Sequence, residues 1–134
     1  MDRISASQRS ANMRAIRSTG MKPEMRVRQR IHAMGYRFRL HKSELPGKPD
    51  IVFARRRKVI FVHGCFWHQH KGCKHCRKPK SNQSYWLPKL ARNVRRDRKH
   101  LKALKESGWK ALVIWECQIK NDYSLEKQLR KFLR

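Results

Sequence analysis

Carboxylates are scarce in this chain. Nine aspartates and glutamates stand against 35 lysines and arginines in 134 residues, a formal charge of +26, and a field of that sign calls for a polyanionic partner such as nucleic acid. Long apolar runs are also missing, which argues against a membrane-spanning helix. Met1 to Thr19 is charged throughout and lacks the apolar centre of a signal peptide, so the expected location is the cytoplasm. Cysteine is limited to four residues. In a reducing compartment these are better explained by metal or burial than by disulfides. There is no repeat and no low-complexity segment, and the length suits one domain with a single modest core. Charge alone does not separate an enzyme from a ribosomal or chromatin component.

Residues 1–20 read as a basic arm, with Ala11, Met13, Ala15 and Ile16 able to form a short helix ending at Gly20. Residues 21–134 read as one domain. Pro23 suits a first helical position, and Glu24, Val27, Ile31 and Met34 then recur at helical spacing up to Gly35. Tyr36 to Leu40 predicts a strand. The turn Leu45-Pro-Gly-Lys-Pro49 delivers Asp50 to a second strand, Ile51 to Ala54, and Val59 to Val62 forms a third that ends at His63. A long helix is expected from about Tyr85 to Ser107, with Pro88 in its first turn and Trp86, Leu90, Val94, Leu101 and Leu104 on its apolar stripe. The uninterrupted apolar run Ala111 to Trp115 predicts a central strand covered on both faces. Ser124 to Arg134 closes the chain as a helix. This order implies an α/β sandwich with a mixed sheet.

Against that frame the few acids become informative. Glu24 and Asp97 fall on apolar helix stripes, and Asp50 sits at a strand edge. An unpaired buried carboxylate is costly, so each should meet a cation, a metal or a histidine. Pairing with nearby arginines, or a turn-capping role for Asp50, is the structural alternative. Phosphodiester hydrolysis gives a chemical reason for the arrangement, because Mg2+ held by carboxylate and carbonyl oxygen polarises a phosphate and activates water. Asp50 is the best direct ligand. His63 and His68 flank the strand end beside it, in the right titration range for a base, and Asp97 could orient the ring of His68.

The segment His63 to Cys76 concentrates three of the four cysteines and four of the seven histidines around Phe66-Trp67. Thiolate and imidazole are the ligands zinc prefers. Cys65, His70 and Cys73 can be completed by Cys117 or by Cys76, with His75 also at hand; both cysteine sets are chemically acceptable. Buried free thiols beside solvent-facing histidines are the alternative.

The motifs Asn12-Met-Arg-Ala-Ile16, Leu45-Pro-Gly-Lys-Pro-Asp50, Val59-Ile-Phe-Val-His-Gly-Cys-Phe-Trp-His68, Tyr85-Trp86, Asn93-Val-Arg-Arg-Asp97 and Val113-Ile-Trp-Glu-Cys117 closely resemble the very-short-patch-repair (Vsr) DNA mismatch endonucleases. The likeness runs from about Ser7 to the last helix. It implies a restriction-endonuclease-like fold of the PD-(D/E)xK type, a three-layer sandwich around a mixed sheet, with a structural zinc site in the loop at about 63–76. It also implies Mg2+-dependent nicking 5′ of the thymine in a T:G mismatch, the lesion left when 5-methylcytosine deaminates.

By the same resemblance, Asp50 and the backbone carbonyl of Val62 would bind Mg2+. His68 would act as base with Asp97 behind it, and Glu24 and His63 would support metal waters and phosphate. Zinc would fall to Cys65, His70, Cys73 and Cys117. Phe66, Trp67 and Trp86 would wedge into the base stack, where a mismatch is cheap to open, and Met13 and Ile16 would enter the opposite groove from the arm. A core position is the alternative for Trp86. The expected partner is double-stranded DNA with a T:G mismatch, other mismatch-repair proteins being candidates, and the expected enzyme is a monomer working in the bacterial cytoplasm on the nucleoid. The rival readings are a restriction-type nuclease of the same fold acting on matched DNA, and a zinc-containing DNA-binding protein without catalysis.

Overall fold

A computed structural model describes residues 22–73 and 80–134. The basic arm with Met13 and Ile16, and also His75 and Cys76, lie outside the described residues. In chain order the described elements are α1 (Pro23–Ala33), β1 (Arg39–Leu40), β2 (Ile51–Phe53), β3 (Lys58–His63), α2 (Gln83–Glu106), β4 (Lys110–Trp115), a short 3-10 turn (Glu116–Gln118) and α3 (Asp122–Leu133). The four strands form one sheet in the order β1-β2-β3-β4. β1, β2 and β3 are antiparallel neighbours, while β3 and β4 run parallel, with Val62 opposite Ile114 and His63 opposite Trp115. The mixed sheet follows from the connections, since only β3 and β4 are joined by a crossover helix long enough to permit parallel pairing.

Strand alternation sorts the core into two layers. Ile51, Phe53, Ile60 and Ile114 point to one face, where they meet Val27 and Ile31 of α1 and Leu125, Leu129 and Leu133 of α3. Val52, Val59 and Phe61 point to the other, against Leu104 and Leu101 of α2. The sheet is therefore covered on both sides by helices. Arg26 and Arg30 of α1 add ion pairs to Asp122 of α3 at 3.2 and 3.3 Å. Asn121 caps α3, its side-chain oxygen accepting the Ser124 N–H at 3.0 Å.

Three expectations need correction. The run Ala111 to Trp115 is covered on both faces, with Leu112 and Ile114 on one side and Ala111 and Val113 on the other, yet β4 is a terminal strand of the described sheet. Coverage of the faces makes a strand apolar whether or not it has two lateral neighbours, so that run does not encode a central place. The strand expected over 36–40 shrinks to Arg39–Leu40, both exposed, because Tyr36 and Phe38 turn into the core instead. Pro88 lies inside α2 rather than in its first turn. The helix starts two residues before the expected Tyr85, so the ring forgoes one internal hydrogen bond.

Candidate active site and metal centre

The ends of β2 and β3 bring the site together. Asp50 immediately precedes β2, and its Oδ2 accepts the Val62 N–H from β3 at 2.7 Å. Gly47 shapes the turn before it, with φ +77; a Cβ there would stand 3.0 Å from His100 and 3.1 Å from Phe61, so only glycine lets this turn close onto α2. Asp50, Val62, His63, His68 and Asp97 line one cavity of about 170 Å³, together with Lys48 and His100.

Electrostatics within the cavity are uneven. Burial pushes the Asp50 carboxyl up to about 6; the Val62 N–H opposes the rise, while the hydrogen-bonded, like-charged Glu24 adds to it. Glu24 itself, on the first turn of α1, pairs with Arg28 and has its Oε2 3.4 Å from His41 Nε2. The arginine alternative therefore holds for Glu24, though not for Asp97, whose Oδ2 lies 2.6 Å from His68 Nδ1. That contact leaves the His68 Nε2 free for other work. His63 stacks flat on His68, ring centroids 3.7 Å apart at 5°, and is 6 % exposed. Burial, helped by His68 and opposed by Asp97, pulls its ring down to about 4, so it is neutral near pH 7. Among the described residues the His63 Nδ1 is a buried polar atom with no protein partner, a donor or acceptor kept for something that enters the cavity.

A second centre lies across Trp115. The ligand atoms of Cys65, His70, Cys73 and Cys117 all fall within 4.8 Å of one another. His70 Nδ1 is 3.4 Å from Cys117 Sγ and 3.8 Å from Cys65 Sγ. Tetrahedral zinc, with bonds of about 2.3 Å to sulfur and about 2.0–2.1 Å to nitrogen, sets a sulfur-to-nitrogen edge of about 3.5 Å. The residues thus fit a metal ion. Burial pushes the Cys65 thiol up to about 12 and raises that of Cys117 as well, a penalty that a bound dication would offset by stabilising thiolate. The His70 ring stacks on Trp115 at 4.2 Å and 7°, while the edge of Trp115 meets His63 at 5.2 Å. One indole therefore spaces the two centres.

The loop between β3 and α2 exposes a hydrophobic surface. Phe66, Trp67 and Trp86 form a mutual cluster with centroids 5.2 to 5.9 Å apart, and Trp67 is 45 % exposed. Trp86 belongs to this cluster and remains half-buried. Tyr85, 59 % exposed, extends the group beside Trp86, and Lys89 Nζ lies 5.5 to 5.7 Å from three of the rings. The sequence reading did not single out His41, Lys48, His100 or Lys89 as site residues. His100 and Lys89 were within reach of helical spacing, three residues after Asp97 and three after Trp86; His41 had no such signal.

A nuclease is the class these groups define: a half-buried aspartate beside a carboxylate-backed histidine, set in a strongly cationic α/β frame. The family model described as DNA mismatch endonuclease Vsr matches residues 1–76, more than half of the chain. A Type II nicking enzyme, V.XorIIP, from Xanthomonas oryzae is 48 % identical over 132 residues, covering 98 % of this chain and 96 % of the relative. The DNA mismatch endonuclease Vsr of Escherichia coli is 38 % identical, covering 93 % and 83 %. The Type II nicking enzyme V.NmeAIP of Neisseria meningitidis is 39 % identical, covering 99 % and 94 %. The chain belongs to the Vsr family of DNA endonucleases. No described helix is long and apolar enough to cross a membrane.

Proposed function

We propose that this protein is a Mg2+-dependent endonuclease that nicks one DNA strand 5′ of the thymine in T:G mismatches arising from 5-methylcytosine deamination. The observation that carries the reading is the 2.6 Å contact between His68 Nδ1 and Asp97 at the cavity that Asp50 and Val62 also line. With Nδ1 engaged, Nε2 of His68 takes a proton from water as its oxygen attacks phosphorus, while the P–O bond to the 3′ oxygen breaks and that oxygen leaves as a hydroxyl after taking a proton from solvent. Asp97 holds the ring in that tautomer and stabilises the resulting imidazolium. His63, neutral and with a free ring nitrogen, hydrogen-bonds phosphate or a water beside it, and Glu24 supports the same water network. Asp50 and the Val62 carbonyl would hold Mg2+, which would supply electrophilic stabilisation of the phosphate when bound.

The remaining assignments are those that the family resemblance implies. Cys65, His70, Cys73 and Cys117 would hold a structural Zn2+. Phe66, Trp67 and Trp86 insert beside the mismatch, with Met13 and Ile16 of the arm on the opposite groove. The frame is read as a restriction-endonuclease-like sandwich, and the enzyme as a monomer acting on the cytoplasmic nucleoid. The names of the E. coli relative and the matched family support mismatch DNA as substrate; the names of the nicking-enzyme relatives support cleavage of one strand. The test is a nicking assay on one duplex carrying T:G or T:A at the same position, with and without Mg2+. Mg2+-dependent cleavage of the T:G duplex alone is expected. Equal rates on both duplexes point to a restriction-type nuclease, and no cleavage of either points to a non-catalytic DNA-binding protein.

A further inference from the structure

His41 has no part in the chemistry described above, yet it faces both carboxylates at the Asp50 edge of the site. Its Nε2 is 3.4 Å from Glu24 Oε2 and its Nδ1 is 4.0 Å from Asp50 Oδ1. One ligand atom from each of Glu24, His41 and Asp50 lies within 4.8 Å of the other two. Six-coordinate divalent ions with bonds of about 2.1 Å have neighbouring ligands about 3 Å apart and opposite ones about 4.2 Å apart, so this spread is close to what a single ion draws together. The backbone fixes the ring's origin. His41 adopts φ 48, and its N–H donates to the Asp50 carbonyl at 3.3 Å.

We propose that His41 is a third ligand of the Glu24–Asp50 cation site and turns its preference from Mg2+ toward a first-row transition cation of the Mn2+ type. This rests on the reading of Asp50 as a cation ligand, brings Glu24 from the surrounding water network into direct contact with the ion, and names the class of ion that the site holds most tightly. Two carboxylates alone form an all-oxygen site suited to Mg2+, whereas imidazole nitrogen favours the softer transition ions. Arg28 is the internal competitor. Its Nη2 lies 3.1 Å from His41 Nε2 and also pairs with Glu24, so guanidinium and metal ion draw on the same lone pairs.

The zinc-loaded full chain is titrated with Mn2+ and, separately, with Mg2+. Bound Mn2+ is followed by electron paramagnetic resonance, and its nitrogen neighbours by electron spin-echo modulation. The informative variant is His41→Asn, because asparagine tolerates positive φ and offers oxygen in place of ring nitrogen; near-ultraviolet circular dichroism confirms its fold. Wild type is expected to bind Mn2+ more tightly than Mg2+ and to show imidazole nitrogen modulation. His41→Asn should lose that modulation and bind Mn2+ about tenfold more weakly, with Mg2+ affinity little changed. Arg28→Met should bind Mn2+ more tightly than wild type.

Modulation and Mn2+ affinity that survive unchanged in His41→Asn overturn the proposal, since the nitrogen then comes from another histidine. Weaker Mn2+ binding in Arg28→Met also contradicts it. The nicking assay fails or succeeds independently: a protein that shows the His41-dependent signal but leaves T:G duplexes intact keeps the ion site and loses the mismatch reading.

Discussion

The two centres on either side of Trp115 are built from opposite materials. The Cys65/His70/Cys73/Cys117 cluster gathers three sulfurs and one nitrogen, with Cys65 buried and His70 held flat against the indole. The Asp50/His63/His68/Asp97 group gathers oxygen and nitrogen around a cavity, with one ring nitrogen left without a partner among the described residues. Four mutually close soft donors can close a coordination sphere and pin chain segments together. An open cavity with a free nitrogen has capacity left for a substrate. On the proposed reading one centre serves stability and the other turnover, and variants should separate the two.

The largest expected split comes from the histidines. His68→Ala should lower nicking by about 10²–10⁴-fold while leaving zinc content and melting temperature nearly unchanged. Asp97→Asn should lower it by about 10–100-fold, because the ring survives but loses the carboxylate that fixes its tautomer. Single-turnover nicking with excess enzyme, alongside metal analysis, reads both halves of the contrast. A large loss of zinc in His68→Ala would mean that the centres are not separate.

Cys117→Ser tests the other side. It should reduce bound zinc below one equivalent and cost on the order of 3–5 kcal/mol of stability, measured by urea unfolding, since the ligand set ties the loop after β3 to the end of β4. Zinc binding must also displace the proton from the Cys65 thiol, pushed up to about 12, so zinc affinity should rise with pH. Full zinc retention and wild-type stability in Cys117→Ser would assign the fourth position to another residue, such as Cys76.

How far the sequence foretold these centres depends on the interaction involved. Local periodicity marked the helices and short uninterrupted apolar runs marked β2 and β3, because burial is written into neighbouring residues. Asp97 stood out as an acid on an apolar stripe, and the structure gives it His68. The choice between Cys117 and Cys76 was open from chemistry alone because ligand spacing does not report tertiary distance. Among the described residues, Cys117 joins the cluster through the parallel pairing of β3 with β4. His41 was invisible for the same reason: it reaches Glu24 and Asp50 only once α1 and the β1–β2 connection have come together. The place of β4 at the sheet's end was hidden too, since apolar faces say nothing about lateral neighbours.

Smaller effects belong to the aromatic cluster of Phe66, Trp67 and Trp86. Trp67→Ala should weaken binding to T:G duplex by about 1–3 kcal/mol, the range for base–aromatic stacking, while binding to matched duplex changes less. Fluorescence anisotropy at fixed salt distinguishes the two. Fixed salt matters because a chain of charge +26 gains much of its affinity for any duplex from released counterions. Equal losses on both duplexes would make Trp67 a general contact and remove it from mismatch recognition.

The finest test of the contrast concerns the stability that the open centre gives up. Asp50 is held at about 6 in the folded chain against an ordinary 3.8, so its ionised form is disfavoured by folding. For a carboxyl raised in this way, the cost to stability is full above about pH 6, shrinks as pH falls, and is gone below 3.8. At about 1.4 kcal/mol per unit, the upper limit is about 3 kcal/mol, and partial solvent contact brings the expected figure nearer 2. Asp50→Asn should therefore stabilise the zinc-loaded, Mg2+-free protein by about that amount at pH 8 and by almost nothing near pH 4, while abolishing nicking. Added Mg2+ should stabilise wild type at pH 8 and leave the variant unmoved, because a cation at Asp50 relieves in the native protein what the variant removes by substitution. Urea midpoints at the two pH values measure the effect. A variant less stable than wild type at pH 8 would show that the Val62 hydrogen bond outweighs the buried charge, and that Asp50 serves the fold as much as the reaction.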